Sequence, residues 1–261
     1  MNFMRLISQG AEHAYVNMAL DEAISEAVRQ KLSPPTLRLY CWDRPSLSLG
    51  CFQKFTDIDM AYCDKKGYPV VRRQTGGRAI LHDAELTYSV SAPSDSPLFR
   101  GSLLDNYTVI SNALLLALEY QGIKAESSMR RRRNISQKNP ACFRTVSFGE
   151  ITMEGKKVIG SAQKRYKDGF LQQGSILLSA DIPELSHVLR LNDEETLQDI
   201  GALSDHVPEI SSSNLRRSLK EAFEKTLKVK LIADGPTAYE RNRAKELSRN
   251  KYSTPEWNFS H

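Results

Sequence analysis

Residues 72–83 read Arg-Arg-Gln-Thr-Gly-Gly-Arg-Ala-Ile-Leu-His-Asp, directly after Pro69-Val70-Val71 and shortly before Thr87-Tyr88-Ser89-Val90. The apolar run predicts a strand over 68–73 that enters a glycine turn. Glycines 76 and 77 let the backbone take positive φ and approach a ligand with no Cβ in the way. Successive N–H groups in such a turn converge on an anion or a carbonyl oxygen, and Arg72 and Arg73 add fixed donors beside it. Gly-Gly alone is ordinary turn punctuation, and by itself predicts only a strand–turn–strand corner with a charged rim.

Outward from this turn the chain alternates helical and strand patterns. Residues 13–31 place Val16, Leu20, Ala23, Ile24, Ala27 and Val28 at helical spacing, and Pro34-Pro35 ends the run. Strands are predicted at 36–40 and 46–51, a short helix at 57–66, and an alternating strand at 86–92. A helix near 104–122 follows, then a hairpin over 146–165 turning at Glu154-Gly155, and a strand near 170–178. After 180 the pattern turns helical at 183–190, 211–227 and 237–249, with a short strand at 229–232. Together these predict an α/β (α+β) fold: a core over 1–180, and a helical C-terminal portion over 181–261 packed on the same domain. Residues 124–140 contain little that could be buried and predict a mobile charged loop.

Composition sets the outer bounds. A chain of 261 residues suits one large domain, or one domain with a small appendage, and 40% apolar content with mixed charges reads as soluble and globular. No apolar run approaches the roughly 20 residues needed to cross a bilayer. The first residues show no basic segment followed by an apolar core, so no signal peptide is expected. Cys41, Cys51, Cys63 and Cys142 show neither C-x-x-C pairing nor metal-ligand spacing, which predicts free thiols in a reducing cytoplasm and no metal. The net charge of +5 falls short of a nucleic-acid protein's signature. Its densest piece, Arg130–Arg133, has no interleaved aromatics, which argues against stacking on nucleic acid. It reads as a solvated loop, as a docking patch for an acidic protein partner or, least favoured, as an RNA contact.

The whole 72–83 string resembles the loop of the lipoate–protein ligase and octanoyltransferase family, Arg-Arg-x-(Thr/Ser)-Gly-Gly-x-x-x-x-His-Asp. Four further stretches resemble that family in order: NMALDEAI at 17–24, LRLYCWDRPSLSLGCFQ at 37–53, GKKVIGSAQKR at 155–165 and KYSTPEWN at 251–258. The resemblance implies a biotin/lipoyl protein ligase-like mixed sheet with flanking helices. It also makes 1–180 the acyl-transfer catalytic core and implies a pocket lined by Arg73, Gly76, Gly77 and His82. The adjacent His82 and Asp83 read most simply as a structural pair closing a turn. A general base for an incoming amine is the functional alternative.

Cys142 lies at the border between the basic loop and the hairpin, and Lys156 and Lys157 follow 14 and 15 residues later. A nearby ammonium favours the thiolate, the form that attacks a carbonyl carbon. Adjacent strand residues face opposite ways, so the residues alone do not choose between the lysines. The resemblance does: the family's functional lysine precedes the apolar-x-Gly-Ser-Ala run, which is Lys157, leaving Lys156 as a solvated charge. Cysteine-dependent octanoyltransferases of the LipM type carry a Cys-Phe pair 15 residues before that lysine, as Cys142-Phe143 stands here. ATP-dependent ligases carry Asn-Asp there and usually a third glycine in the loop, where this chain has Arg78.

The resemblance therefore implies octanoyl transfer with no cofactor. The donor is octanoyl-acyl carrier protein, the acceptor the lipoyl-carrier lysine of a lipoyl domain or glycine-cleavage H protein. Cys142 is the acyl nucleophile and Lys157 its activator. The alternatives are an ATP-dependent lipoate ligase and a non-catalytic protein- or RNA-binding member. Cys41, Cys51 and Cys63 are expected to be incidental thiols, and Trp42 and Trp257 packing anchors.

Overall fold

The computed structural model describes residues 3–128, 150–190 and 197–260. Strands β1 (Phe3–Glu12), β2 (Thr36–Trp42), β3 (Ser46–Leu49), β4 (Val70–Arg72), β5 (Ile80–His82), β6 (Glu85–Pro93), β7 (Glu126–Ser128), β8 (Glu150–Met153), β9 (Lys156–Arg165), β10 (Gly169–Leu177) and β11 (Lys230–Ala233) form two sheets. Among the described residues the main sheet runs β11-β1-β2-β6-β10-β9-β8-β7, and the small one β4-β3-β5. Pairing is parallel across β11, β1 and β2 and antiparallel from β2 onward. This is the mixed sheet with flanking helices that the family resemblance implies.

Helix α1 (Ala14–Arg29) covers one face, with α6 (Ala238–Leu247) outside it. Helices α3 (Leu103–Glu119) and α5 (Ser212–Leu227) cover the other. The short helices α2 (Met60–Lys66) and α4 (Ile182–Val188) pack together beside the small sheet, and α7 (Pro255–Asn258) lies against β4. Local signals fix the ends. Asp59 caps α2, which stops at left-handed Gly67. Ser102 with Asp105 and Thr237 with Glu240 make capping boxes on α3 and α6. Glu154 (φ 50°) and Gly155 (φ 81°) turn the β8–β9 hairpin in the positive-φ pair that suits a two-residue loop.

The strands have two chemically different faces. Leu37, Leu39, Leu86, Tyr88, Val90 and Ile176 point into the apolar core with α3 and α5. The alternate positions Arg38, Thr87, Ser89, Gln173 and Ser175 are polar and equally buried, under α1. Their organiser is Asp21 of α1, 1% exposed. Its carboxylate accepts from Arg38 Nη1 (2.8 Å), Tyr40 OH (2.8 Å), Ser89 Oγ (2.8 Å) and Gln173 Nε2 (2.7 Å). One helix is thereby tied to β2, β6 and β10.

Two expectations change. Val16 is 37% exposed rather than in the core, because α1 turns its Ala14, Met18 and Ala23 side inward. Residues 126–128, expected within a mobile charged loop over 124–140, form β7 paired with β8, while 129–140 lie outside the described residues. The first residues, for which no element was predicted, form β1, an interior strand between β2 and β11; Arg5 interrupts its apolar stretch over residues 3–7 and leaves no clean period. Replacing Asp21 with Ala leaves the Arg38 guanidinium buried without its carboxylate, so unfolding free energy should fall by about 3–5 kcal/mol. Urea unfolding of wild type and Asp21→Ala measures this.

Candidate active site

The glycine turn lies where the small sheet meets the polar face of the large one. Arg73, 4% exposed, holds it. Nη1 donates to the carbonyl (3.1 Å) and hydroxyl (3.0 Å) of Ser48 on β3, and Nη2 to the carbonyls of Gly76 (2.7 Å) and Arg78 (2.8 Å). Arg72 is fully buried and donates to the carbonyls of Gly50 (2.8 Å), Gln53 (2.7 Å), Trp257 and Asn258. Both arginines thus direct donors to the chain's own backbone, rather than standing as fixed donors beside an open loop. Of the two glycines only Gly77 (φ 91°) takes the positive-φ region that both were expected to use. A Cβ built on Gly50 would lie 1.9 Å from the Gly77 carbonyl oxygen, so glycine at 50 lets the turn rest directly on the end of β3.

His82 is 4% exposed and its ring stacks on Trp42 at 3.9 Å between centroids. Nε2 lies 2.7 Å from Ser48 Oγ and Nδ1 2.8 Å from Glu85 Oε1. The expected His82–Asp83 pairing is replaced by His82–Glu85, because the turn after β5 carries Asp83 away and begins β6 at Glu85. Glu85 also accepts from the hydroxyls of Thr87 and Ser175. Burial pushes its carboxyl up, but His82 and the hydroxyl donors outweigh that and hold it below the usual glutamate value. As an ionised carboxylate Glu85 only accepts, so in neutral His82 Nδ1 carries the proton and Nε2 accepts from Ser48. Both ring nitrogens are engaged inside the protein.

Beside this cluster is a narrow pocket lined by Met18, Trp42 and Ile80 on one side and by Gly160, Ala162 and Gly174 on the other. Small residues on β9 and β10 face an aromatic and a thioether here across an apolar slot of about 20 Å³. Ser48, Arg73 and His82 also line it, whereas Gly76 and Gly77, expected on the same pocket, are not among its lining residues because Arg73 draws the turn's carbonyls toward itself. Trp42 packs in the buried cluster under α1, as expected of an anchor, and also walls this pocket, while its indole Nε1 donates to Thr87 Oγ1 (2.8 Å). Trp257 is half-buried and donates to the Arg72 carbonyl (2.8 Å).

Lys157 stands on β9 three residues before Gly160, fully buried, its ammonium paired with Glu150 on β8. Its main chain is held by Asp199 and Gly201. Lys156 is exposed. Cys142, Phe143 and Arg130–Arg133 lie outside the described residues. Of the other cysteines, Cys63 is fully buried and burial pushes its thiol up to about 11, while burial also raises Cys51; Cys41 is half-buried. Sequence reasoning missed Ser48, Glu85, Gln173 and Lys164. Lys164 is half-buried, its pKa lowered by that burial, and donates to Gln74 Oε1 at 2.5 Å. One signal was available for Gln173: the Gln172-Gln173 pair stands between the apolar Phe170-Leu171 and Ile176-Leu177 of one strand.

Residues 13–229 match the lipoyl protein ligase A/B catalytic domain family. The chain belongs to that family. This lipoyl protein ligase A/B member is 37% identical over 269 residues to the octanoyltransferase LipM of Carboxydothermus hydrogenoformans, covering 99% of both chains. Its fold matches a T. acidophilum protein described as a candidate lipoate protein ligase and solved with bound lipoic acid, at TM-score 0.83, 27% identity and full coverage of both chains. It matches equally a bipartite lipoate protein ligase of Thermoplasma acidophilum, analysed with its E2 lipoyl domain, at TM-score 0.82 and 26% identity over 99% and 97% of the two chains.

The lowered Glu85 pKa gives a pH test. Its contribution is present above the unfolded glutamate pKa and lost as pH falls through the lower folded value. Glu85→Gln should therefore melt below wild type at neutral pH, and the gap should close below about pH 4. Paired thermal melts from neutral to acid pH measure it.

Proposed function

We propose that this family member is an octanoyltransferase working through a cysteine thioester. It takes the octanoyl group from octanoyl-acyl carrier protein and passes it to the lipoyl-carrier lysine of an acceptor such as glycine-cleavage H protein. The observation that carries this reading is the end-to-end similarity to an octanoyltransferase, 37% identical over 99% of both chains. Three features support it. Cys142-Phe143 stands 15 residues before Lys157. The slot beside Trp42 is narrow and largely apolar. Cys51 and Cys63 have thiols pushed upward by burial, away from the nucleophilic form.

In the first step the Cys142 thiolate attacks the thioester carbonyl, and the carrier's thiolate leaves and takes a proton. In the second, the acceptor amine attacks the Cys142 thioester, loses a proton as the amide forms, and the Cys142 thiolate leaves. The first step exchanges one thioester for another and the second runs downhill to an amide, so no nucleotide is needed. Lys157 offers a buried ammonium on the strand that lines the slot, able to favour the thiolate and the developing oxyanion. Arg73 sets the position of Gly76 and Gly77, while His82 acts as scaffold. The similarity in fold to lipoate ligases supports a second reading, ATP-dependent activation of a free acid.

Intact mass separates the two. Incubation with octanoyl-acyl carrier protein without ATP should add one octanoyl group, removable by hydroxylamine and absent in Cys142→Ala. A ligase gives no adduct and consumes ATP with free octanoate; an adduct that survives in Cys142→Ala overturns the nucleophile. Lys157→Met should slow acylation and move iodoacetamide alkylation of Cys142 to higher pH, while Lys156→Ala leaves the profile in place. Superimposable profiles for wild type and Lys157→Met overturn the activator.

A further inference from the structure

Away from the acyl slot, α1 and α6 leave a groove of about 620 Å³ between them. Val16, Leu20 and Ala244 give it an apolar floor, with Val16 37% exposed. Along one wall stand Arg241, Lys245 and Arg249, all exposed and each four residues from the next. At helical rise they span about 12 Å on one side of the helix and its continuation. Glu12 is on the opposite wall.

The basic residues of this segment are sorted by partner. Arg243 pairs with Glu26 (2.7 Å) and Glu246 (3.0 Å), and Lys251 with Glu22 (2.8 Å). Arg241, Lys245 and Arg249 enter no ion pair among the described residues, although Arg241 donates to the Pro236 carbonyl. Three uncompensated cations beside an apolar floor complement an acidic amphipathic helix. Gln9 and Glu12 of β1 border the groove on one side, but the three cations stand about one helical turn apart along α6 and its continuation, a spacing that a row of acidic residues four apart on a docked helix matches. The floor residues Val16 and Leu20 belong to α1, whose Met18 lines the acyl slot and whose Asp21 holds Gln173.

We propose that this groove docks an acidic helix of the acyl carrier protein that delivers the octanoyl thioester. The choice of donor rests on the octanoyltransferase reading; the charge and shape of the occupant rest on the groove.

The test is binding of fluorescently labelled acyl carrier protein to the full chain, read by anisotropy, for wild type, Lys245→Glu/Arg249→Glu and Val16→Asp, each checked for an unchanged melting curve. At low ionic strength the double variant should weaken binding about tenfold, with the gap narrowing as salt rises. Val16→Asp should weaken it as well, with less dependence on salt. Acylation of Cys142 by octanoyl-acyl carrier protein should slow in both, and acylation by octanoyl-N-acetylcysteamine should not. Equal affinities in wild type and the double variant, or no carrier binding by wild type, overturn the proposal. So does a variant that binds a lipoyl acceptor domain more weakly but the carrier normally. If wild type binds the carrier in this groove yet Cys142 is never acylated by either donor, the transfer reading fails while the groove stands.

Discussion

One buried carboxylate carries much of this architecture. Asp21 takes four hydrogen bonds from β2, β6 and β10, and through Gln173, whose Oε1 accepts from Thr75 Oγ1 at 2.9 Å, it reaches the glycine turn. A buried charge so placed is stabilising only while its partners stay in position. The helix, the sheet face and the turn are consequently fixed to each other by a single set of distances. Asn17, one turn earlier, reinforces it by donating to the Glu12 and Cys41 carbonyls and accepting from Arg38.

That arrangement explains why the site borders a sheet face rather than a loop cluster. On β6 and β10 the apolar residues go to the core under α3 and α5, and the alternate residues build a polar interior under α1. Polar groups cost free energy when buried without partners, so each must be answered locally. Glu85, His82, Ser48 and Arg73 answer one another in sequence, ending at the Gly76 carbonyl. The apolar slot opens beside a wall that is rigid because its hydrogen bonds are satisfied.

The fold was largely legible in the sequence. The helical spacing over 13–31, the turn at Glu154-Gly155, and the alternation over 86–92 each correspond to an element found. The polar face was not legible, because alternation in a strand is the same signal whether the polar side meets water or a helix. Only burial distinguishes them, and burial is a tertiary property. The same limit hid the partner of His82: Asp83 adjoins it in sequence, but the turn delivers Glu85 instead. Arg72 and Arg73 looked like ligand donors because the chain's own carbonyls, from Gly50 to Asn258, are gathered around them only by the fold.

The contact between Gly50 and Gly77 has a further consequence. Here main chain rests on main chain, with no side chain between to lengthen, shorten or re-angle. The height of the glycine turn above the small sheet is therefore not adjustable by small steps. Side-chain changes elsewhere in the slot can reshape what it admits while the turn stays put, whereas one added carbon at position 50 has nowhere to go but through the turn. Any change in the slot's shape must therefore come from the side chains of β9, β10 and α1, beside a turn whose height is fixed by main chain alone.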